Sequence, residues 1–378
     1  MTLSIYLDNS ATTPLCESAK KKMIHVLDNC WANPSSIHHL GVVAKDELDN
    51  ARRIIAGKLS CREDEVFFTS GGTESNNIAI FGAVEKLSRR GNKIITTSVE
   101  HPSVENPIKS LENKGFNVVR LPVGENGSIN IQDLIREVDE KTILISVMLV
   151  NNELGSINPV HLIKKAVMMK KSPALIHCDA VQAFGKLALK TEKLGVDLMS
   201  ISSHKIHGPK GAGALYIRKG VNIASPVYGG GQEKGVRSGT EAMPALCAFS
   251  AAAEELDNIE NTFENVKKLR DRLVSKLEQI DKVEINSKSE NLPYIVNFSA
   301  MGIPSQPMIN YLSEREIYVS GGSACAKGHR SGTLLAVGLS PERIDSAIRV
   351  SLSRYNTEEE IDILCENIEN ALKELRKV

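Results

Sequence analysis

An α/β fold on a mainly parallel sheet is predicted by three observations. Seven short apolar runs recur between residues 66 and 217, helical patterns lie between many of them, and the composition is ordinary for a globular chain. The 378 residues suggest two domains at roughly 150 residues each. With 42% hydrophobic and 24% charged residues there is material for a sizeable core, which excludes a disordered or fibrous chain. The 46 basic and 46 acidic residues cancel. This argues against a broadly cationic protein that binds nucleic acid or anionic membranes through its overall field.

The runs 66–69, 93–97, 118–121, 143–147, 174–178, 197–201 and 213–217 read as strands. Several are continuously apolar, as in strands covered on both faces, which points to βαβ units with helices on both sides. Beyond residue 250 the pattern changes. Leu256, Ile259, Phe263, Val266, Leu269, Leu273 and Leu277 form one apolar stripe of a long helix. Residues 283–355 mix short strands and loops. Thr357-Glu358-Glu359-Glu360 then opens a final helix with a capping-box pattern. Residues before about 15 cannot be placed by pattern.

No apolar run reaches the roughly 18 residues of a membrane span, and no secretory leader is expected at Met1–Asp8. The cysteines (16, 30, 61, 178, 247, 325 and 365) are scattered, with no Cys-x-x-Cys pair, so no metal site is expected and a cytoplasmic, reducing setting fits.

Five stretches could carry chemistry. In Ser202-Ser203-His204-Lys205 a lysine follows a strand and precedes a glycine-rich turn. It is either a solvated charge or a Schiff-base lysine for an aldehyde cofactor, with the neighbouring serine and histidine on a phosphate. Asp179, past another strand, is either a helix cap or the carboxylate that keeps a pyridine nitrogen protonated; Gln182 could bond a phenolic oxygen. Gly72-Thr73, between a strand and a helix, are either plain loop or a phosphate-binding helix start. His101 either satisfies structure or stacks on a flat ring. Cys325 sits among Lys327, His329 and Arg330 in a glycine-rich stretch expected to be mobile. It is either an incidental thiol or a nucleophile whose thiolate those cations favour.

Together these stretches resemble the cysteine desulfurases among the fold-type I pyridoxal phosphate (PLP) enzymes. The likeness extends from Tyr6-Leu7-Asp8-Asn9-Ser10-Ala11-Thr12-Thr13-Pro14 through Asn33-Pro34-Ser35-Ser36-Ile37-His38, Asn151-Asn152-Glu153-Leu154-Gly155 and Arg237-Ser238-Gly239-Thr240 to Gly322-Ser323-Ala324-Cys325 and Arg349-Val350-Ser351-Leu352-Ser353. The resemblance implies a seven-stranded PLP-binding domain over 15–255. A smaller α+β domain would combine 1–14 and 256–378 and carry the cysteine loop.

It also implies roles. Lys205 would tether PLP and move the α-proton, and His101 would stack on the ring. Gly72, Thr73, Ser202, Ser203 and His204 would take the phosphate, together with Thr240 from the second subunit of a homodimer. Asp179 and Gln182 would hold the ring, and Asn152 and Arg349 the substrate carboxylate. Cys325 would receive sulfur from L-cysteine as a persulfide and pass it to an acceptor protein, such as an iron–sulfur scaffold or a tRNA-thiolation enzyme. The segment after Cys325 is shorter than in the familiar housekeeping members. Selenocysteine lyase and a silent docking scaffold for sulfur carriers are the competing readings.

Overall fold

The computed structural model describes residues 4–256, 258–321 and 330–375. Twelve strands are present among them: β1 (Ile5–Tyr6), β2 (Val66–Thr69), β3 (Lys93–Thr97), β4 (Asn117–Leu121), β5 (Thr142–Met148), β6 (Leu175–Asp179), β7 (Leu198–Ser202), β8 (Gly213–Ile217), β9 (Val283–Ile285), β10 (Ile295–Ala300), β11 (Ile317–Tyr318) and β12 (Ala347–Ser351).

The expected central sheet has seven strands in the order β2-β8-β7-β6-β5-β3-β4. Its pairs are parallel except those of β8, which runs antiparallel to both β2 and β7. The segment between Ser202 and Gly213 holds only a 3-10 turn, too short for the helical crossover a parallel return requires. Both faces are covered, and the side-chain alternation shows how. Phe67, Ile94, Leu144, Leu198 and Leu215 pack with the helices Gly72–Leu87 and Pro102–Glu112. Phe68, Ile95, Ile145, Met199 and Ala214 face the opposite layer, where helices Glu17–Asn29, His39–Leu59 and Met243–Glu254 lie.

The N-terminal residues that pattern could not place join the C-terminal part. β1 pairs parallel with β11, and Ser351 N–H donates to the Leu7 carbonyl at 2.7 Å. The chain then crosses to the large sheet, where Thr13 N–H reaches the His204 carbonyl at 3.0 Å. β12, β10 and β9 form a separate antiparallel sheet.

The long amphipathic helix begins at Ile259 rather than Leu256, because the Asn258 side chain accepts from Asn261 N–H and sets its start; Val266, Leu273 and Leu277 are its buried residues. A helix at Ser305–Ser313 lies inside the stretch read as strands and loops. The last helix, Glu358–Glu374, has the expected capping box: Thr357 Oγ1 accepts from Glu360 N–H and Glu360 accepts from Thr357 N–H. No helix among the described residues is long and apolar enough to cross a membrane.

Candidate active site

β2, β3, β5, β6 and β7 run the same way, so Thr69, Thr97, Met148, Asp179 and Ser202 end at one edge of the sheet. Carboxyl ends of strands are where open α/β sheets take ligands. A cavity of about 510 Å³ opens there. Gly72, Thr73, His101, Asn152, Asp179, Gln182, Ser202, His204, Lys205 and Arg349 line it. Sequence spacing alone gave no hint that these ten residues converge.

Two expected site residues, Ser203 and Thr240, do not line the cavity. Ser203 is a correction: it is fully buried, its Oγ has no partner among the described residues, and it is not part of the cavity wall. Ser202 is the last residue of β7, and the next side chain points the other way. There Ser203 Oγ lies under Gly208, where an added Cβ would sit 2.1 Å from it. Thr240 is exposed and does not line the cavity of its own chain. Cys325 lies outside the described residues. Of the cations expected to favour its thiolate, Lys327 and His329 also lie outside them, whereas Arg330 is held by both carboxylate oxygens of Asp345 at 2.7 Å.

Lys205 Nζ donates to the carbonyls of Ser10 at 2.5 Å and Ala11 at 2.7 Å. These N-terminal acceptors were missed, because no periodicity marks a loop that supplies only backbone oxygens. Asp179 Oδ1 accepts from Val181 N–H at 3.0 Å, as a cap would, while Oδ2 accepts from Asn76 Nδ2 at 2.8 Å. The two uses are compatible because they take different oxygens. Asn76 also donates to Ser103 Oγ at 2.8 Å, and that hydroxyl lies 2.8 Å from His101 Nδ1. Asn76 was missed too; its signal is its place four residues after Gly72, on the same helix face.

His101 caps the helix that follows it, Nδ1 accepting from Ser103 N–H at 3.1 Å. Burial lowers its pKa, Asp179 opposing and Lys205 reinforcing the shift. Its neutral form therefore carries the proton on Nε2. His204, with Nδ1 3.2 Å from Thr12 Oγ1, is pushed down to about 4 by burial and by Lys205. Arg349 is buried; it donates to Asp8 Oδ1 at 2.7 Å and to the Asn152 carbonyl at 3.0 Å, and its Nε has no partner among the described residues.

Glu100 sits beneath this wall. Oε1 accepts from Thr97 Oγ1 at 2.8 Å and Met148 N–H at 2.9 Å, while Oε2 is buried without a partner among the described residues. Burial raises its pKa to about 8, against those two donors. In the window from about 4.5 to about 8 the folded chain keeps a proton that the unfolded chain releases, so this group lowers stability as pH rises. Glu100→Gln should therefore gain on the wild type as pH rises from about 5 to about 8, reaching on the order of a few kcal/mol. Denaturant unfolding of the two apoproteins across that range would show a widening difference; a pH-independent difference would refute the assignment.

Away from the cleft, donor atoms of His25, Cys30 and Glu47 lie within 4.8 Å of one another. Glu47 is already paired with Lys22 at 2.6 Å, and burial raises the Cys30 thiol pKa.

Residues 5–364 match the family model for class-V aminotransferases. A cysteine desulfurase IscS of Dictyoglomus turgidum is 38% identical over 383 residues, covering 100% of this chain and 97% of the relative. That of Buchnera aphidicola is 39% identical over 387 residues, covering 100% and 95%. Among solved structures, a NifS-like protein superposes with a TM-score of 0.93 at 38% identity, covering 98% of this chain and 100% of that one. SspA, solved in complex with cysteine, gives 0.82 at 32% identity over 93% of this chain and 100% of its own. The chain belongs to the class-V aminotransferase family and, within it, to the cysteine desulfurases.

Proposed function

We propose that the cleft holds pyridoxal 5′-phosphate and removes sulfur from L-cysteine, leaving L-alanine and a persulfide on Cys325. The observation that carries this is one cavity lined by an amine, Lys205, and a buried carboxylate, Asp179, at the carboxyl ends of a parallel sheet. The donor set fits the cofactor. Ser202 Oγ is buried in the wall without a partner among the described residues. Ser75 makes the first N–H bond of its helix, so the N–H groups of Gly72, Thr73 and Glu74 precede the helical ladder and suit a phosphate. Glu74, which also lines the cavity, is paired with Arg237 at 3.2 Å, which limits its repulsion of an anion. When bound, the cofactor supplies an electron sink conjugated to the substrate's α-carbon.

The chain's own residues do the rest. Lys205 Nζ tethers the cofactor and moves the α-proton. Asp179 pairs with the ring nitrogen, and neutral His101 stacks on the ring. Gln182 donates to the phenolic oxygen; Ser202, His204, Gly72 and Thr73 hold the phosphate. Arg349, with its unpartnered Nε, and Asn152 hold the substrate carboxylate. Cys325 thiolate takes the sulfur: the carbon–sulfur bond of cysteine breaks, a sulfur–sulfur bond forms, and alanine leaves.

The working unit is a homodimer. Ile37 is 100% exposed and shares a groove with Val42 and Glu241, next to exposed Thr240. A second copy would cover that apolar surface and receive Thr240 at its phosphate. Residues 15–255 act as the cofactor unit, and 1–14 with 256–378 as the smaller one, because β1 pairs with β11. Six free cysteines among the described residues suit a reducing cytoplasm. The persulfide passes to an acceptor protein of iron–sulfur assembly or tRNA thiolation.

Incubation with sulfur-labelled cysteine tests the reading. Wild-type protein should retain label that a thiol reductant releases. Cys325→Ala should bind the cofactor and retain none. Equal labelling of the two proteins would remove Cys325 from the scheme.

A further inference from the structure

Lys186 is a buried amine that the chemistry above leaves without a role; burial, with Lys205 and Arg349 nearby, lowers its pKa to about 7. It follows β6 and Gln182 in the chain, is 6% exposed, and has no ion-pair partner among the described residues. Its Nζ donates to Gln182 Oε1 at 3.0 Å and stands 5.7 Å from the centre of the Tyr294 ring. A small cavity of about 30 Å³ beside it is shared with Lys205 and Tyr294. A buried amine without an anion is costly to keep protonated, and an apolar side chain would be cheaper there. The position therefore calls for a reason other than stability.

Gln182 supplies one. Its Oε1 accepts from Lys186 Nζ, and its Nε2 donates at 2.9 Å to the Ser10 carbonyl, which can only accept. The two ends of the amide are thus assigned by chemistry. The same Ser10 carbonyl accepts from Lys205 Nζ at 2.5 Å. Lys186, Gln182, Ser10 and Lys205 form one hydrogen-bonded chain along the cavity wall.

We propose that Lys186 is a positioning residue: it locks the Gln182 amide with its oxygen turned inward, so that an anionic oxygen of the cleft ligand meets an N–H donor and not a second acceptor. Without Lys186 only the Ser10 carbonyl opposes a turn of the amide oxygen into the cleft. This rests on the reading that the cleft takes pyridoxal 5′-phosphate.

The test measures the affinity of apoprotein for pyridoxal 5′-phosphate, and the absorption maximum of the loaded protein, in wild type, Lys186→Met, Gln182→Leu and the double variant. Each single variant should bind about tenfold more weakly, the worth of one hydrogen bond to a charged group, with a displaced maximum. The double variant should be no weaker than either single one. Apo Lys186→Met should melt no lower than wild type, because it removes a buried amine with no ion-pair partner among the described residues, and Lys186→Arg should restore affinity and spectrum. Additive losses, wild-type binding and spectrum in Lys186→Met, or failure of that variant to fold would overturn the inference alone. Wild-type protein that takes up no cofactor would overturn the reading beneath it.

Discussion

Replacing Lys205 by alanine is expected to lower alanine release from L-cysteine by about four orders of magnitude or more, since a positioned acid–base group alone contributes up to about 10⁴ and the tether is lost with it. The visible absorption of the bound cofactor should be lost or shifted. The fold should survive, because what the side chain holds are two backbone carbonyls of a loop, Ser10 and Ala11, which keeps other ties: Thr13 N–H to His204 O at 3.0 Å and Gln182 Nε2 to Ser10 O. Lys205→Arg separates charge from chemistry. A guanidinium keeps the positive charge and can donate to the same carbonyls, but it does not give up its proton at working pH. Both variants should be equally inactive, read as alanine formed at saturating cofactor with thermal unfolding as the control. Recovery of turnover in Lys205→Arg would mean that Lys205 serves only as a charge.

How much of this was legible in the sequence follows from how each residue acts. The seven strands of the central sheet were readable within about a residue, because two-sided burial writes a continuous apolar run. Asp179, His101 and Lys205 were readable because each is a polar residue within four positions of the end of such a run. Ser203 was misplaced because adjacent serines at a strand end look alike in sequence, while the alternation of side chains sends one to the cleft and the other under Gly208.

Asn76 and the Ser10–Thr12 loop were passed over for a different reason. Asn76 works through Asp179 and Ser103, so its importance exists only once three elements meet. The loop contributes carbonyls, and every residue has one. The reversed direction of β8 was equally silent: strand direction is set by the connection, and a short connection is visible only after both strand ends are known. Lys186 carried a signal, a lysine in the apolar stretch Ala183-Phe184-Gly185-Lys186-Leu187, but lysine in such a place is more often a surface charge.

Asp179→Asn is expected to cut turnover about a hundred- to a thousand-fold, the range seen when one pre-positioned electrostatic partner is removed from a buried site. The change is nearly isosteric, so it isolates charge from shape. It also disturbs hydrogen bonding in a definite way. Asp179 accepts on both oxygens, from Val181 N–H and from Asn76 Nδ2. An asparagine can keep only one of these; if its oxygen stays on Val181, its amide nitrogen faces that of Asn76. To relieve the clash Asn76 must turn its Oδ1, which has no partner among the described residues, inward, which withdraws Nδ2 from Ser103 Oγ and loosens His101.

Two effects are therefore mixed in the single variant, and a second substitution separates them. With Asn76→Asp added, the carboxylate moves one side chain back and can accept the new amide N–H. The double variant should recover thermal stability toward wild type, since the new amide N–H meets an acceptor again and the Ser103 hydroxyl can turn to donate to the carboxylate at 76, His101 Nδ1 keeping the Ser103 N–H. It should not recover turnover, because the negative charge no longer lines the cavity where a ring nitrogen would sit. Alanine release and thermal unfolding, measured on all three variants with the cofactor at saturation, decide the matter. If the double variant regains both, hydrogen-bond matching rather than charge is what Asp179 contributes; if Asp179→Asn stays within about threefold of wild type, the pairing assigned to it is wrong.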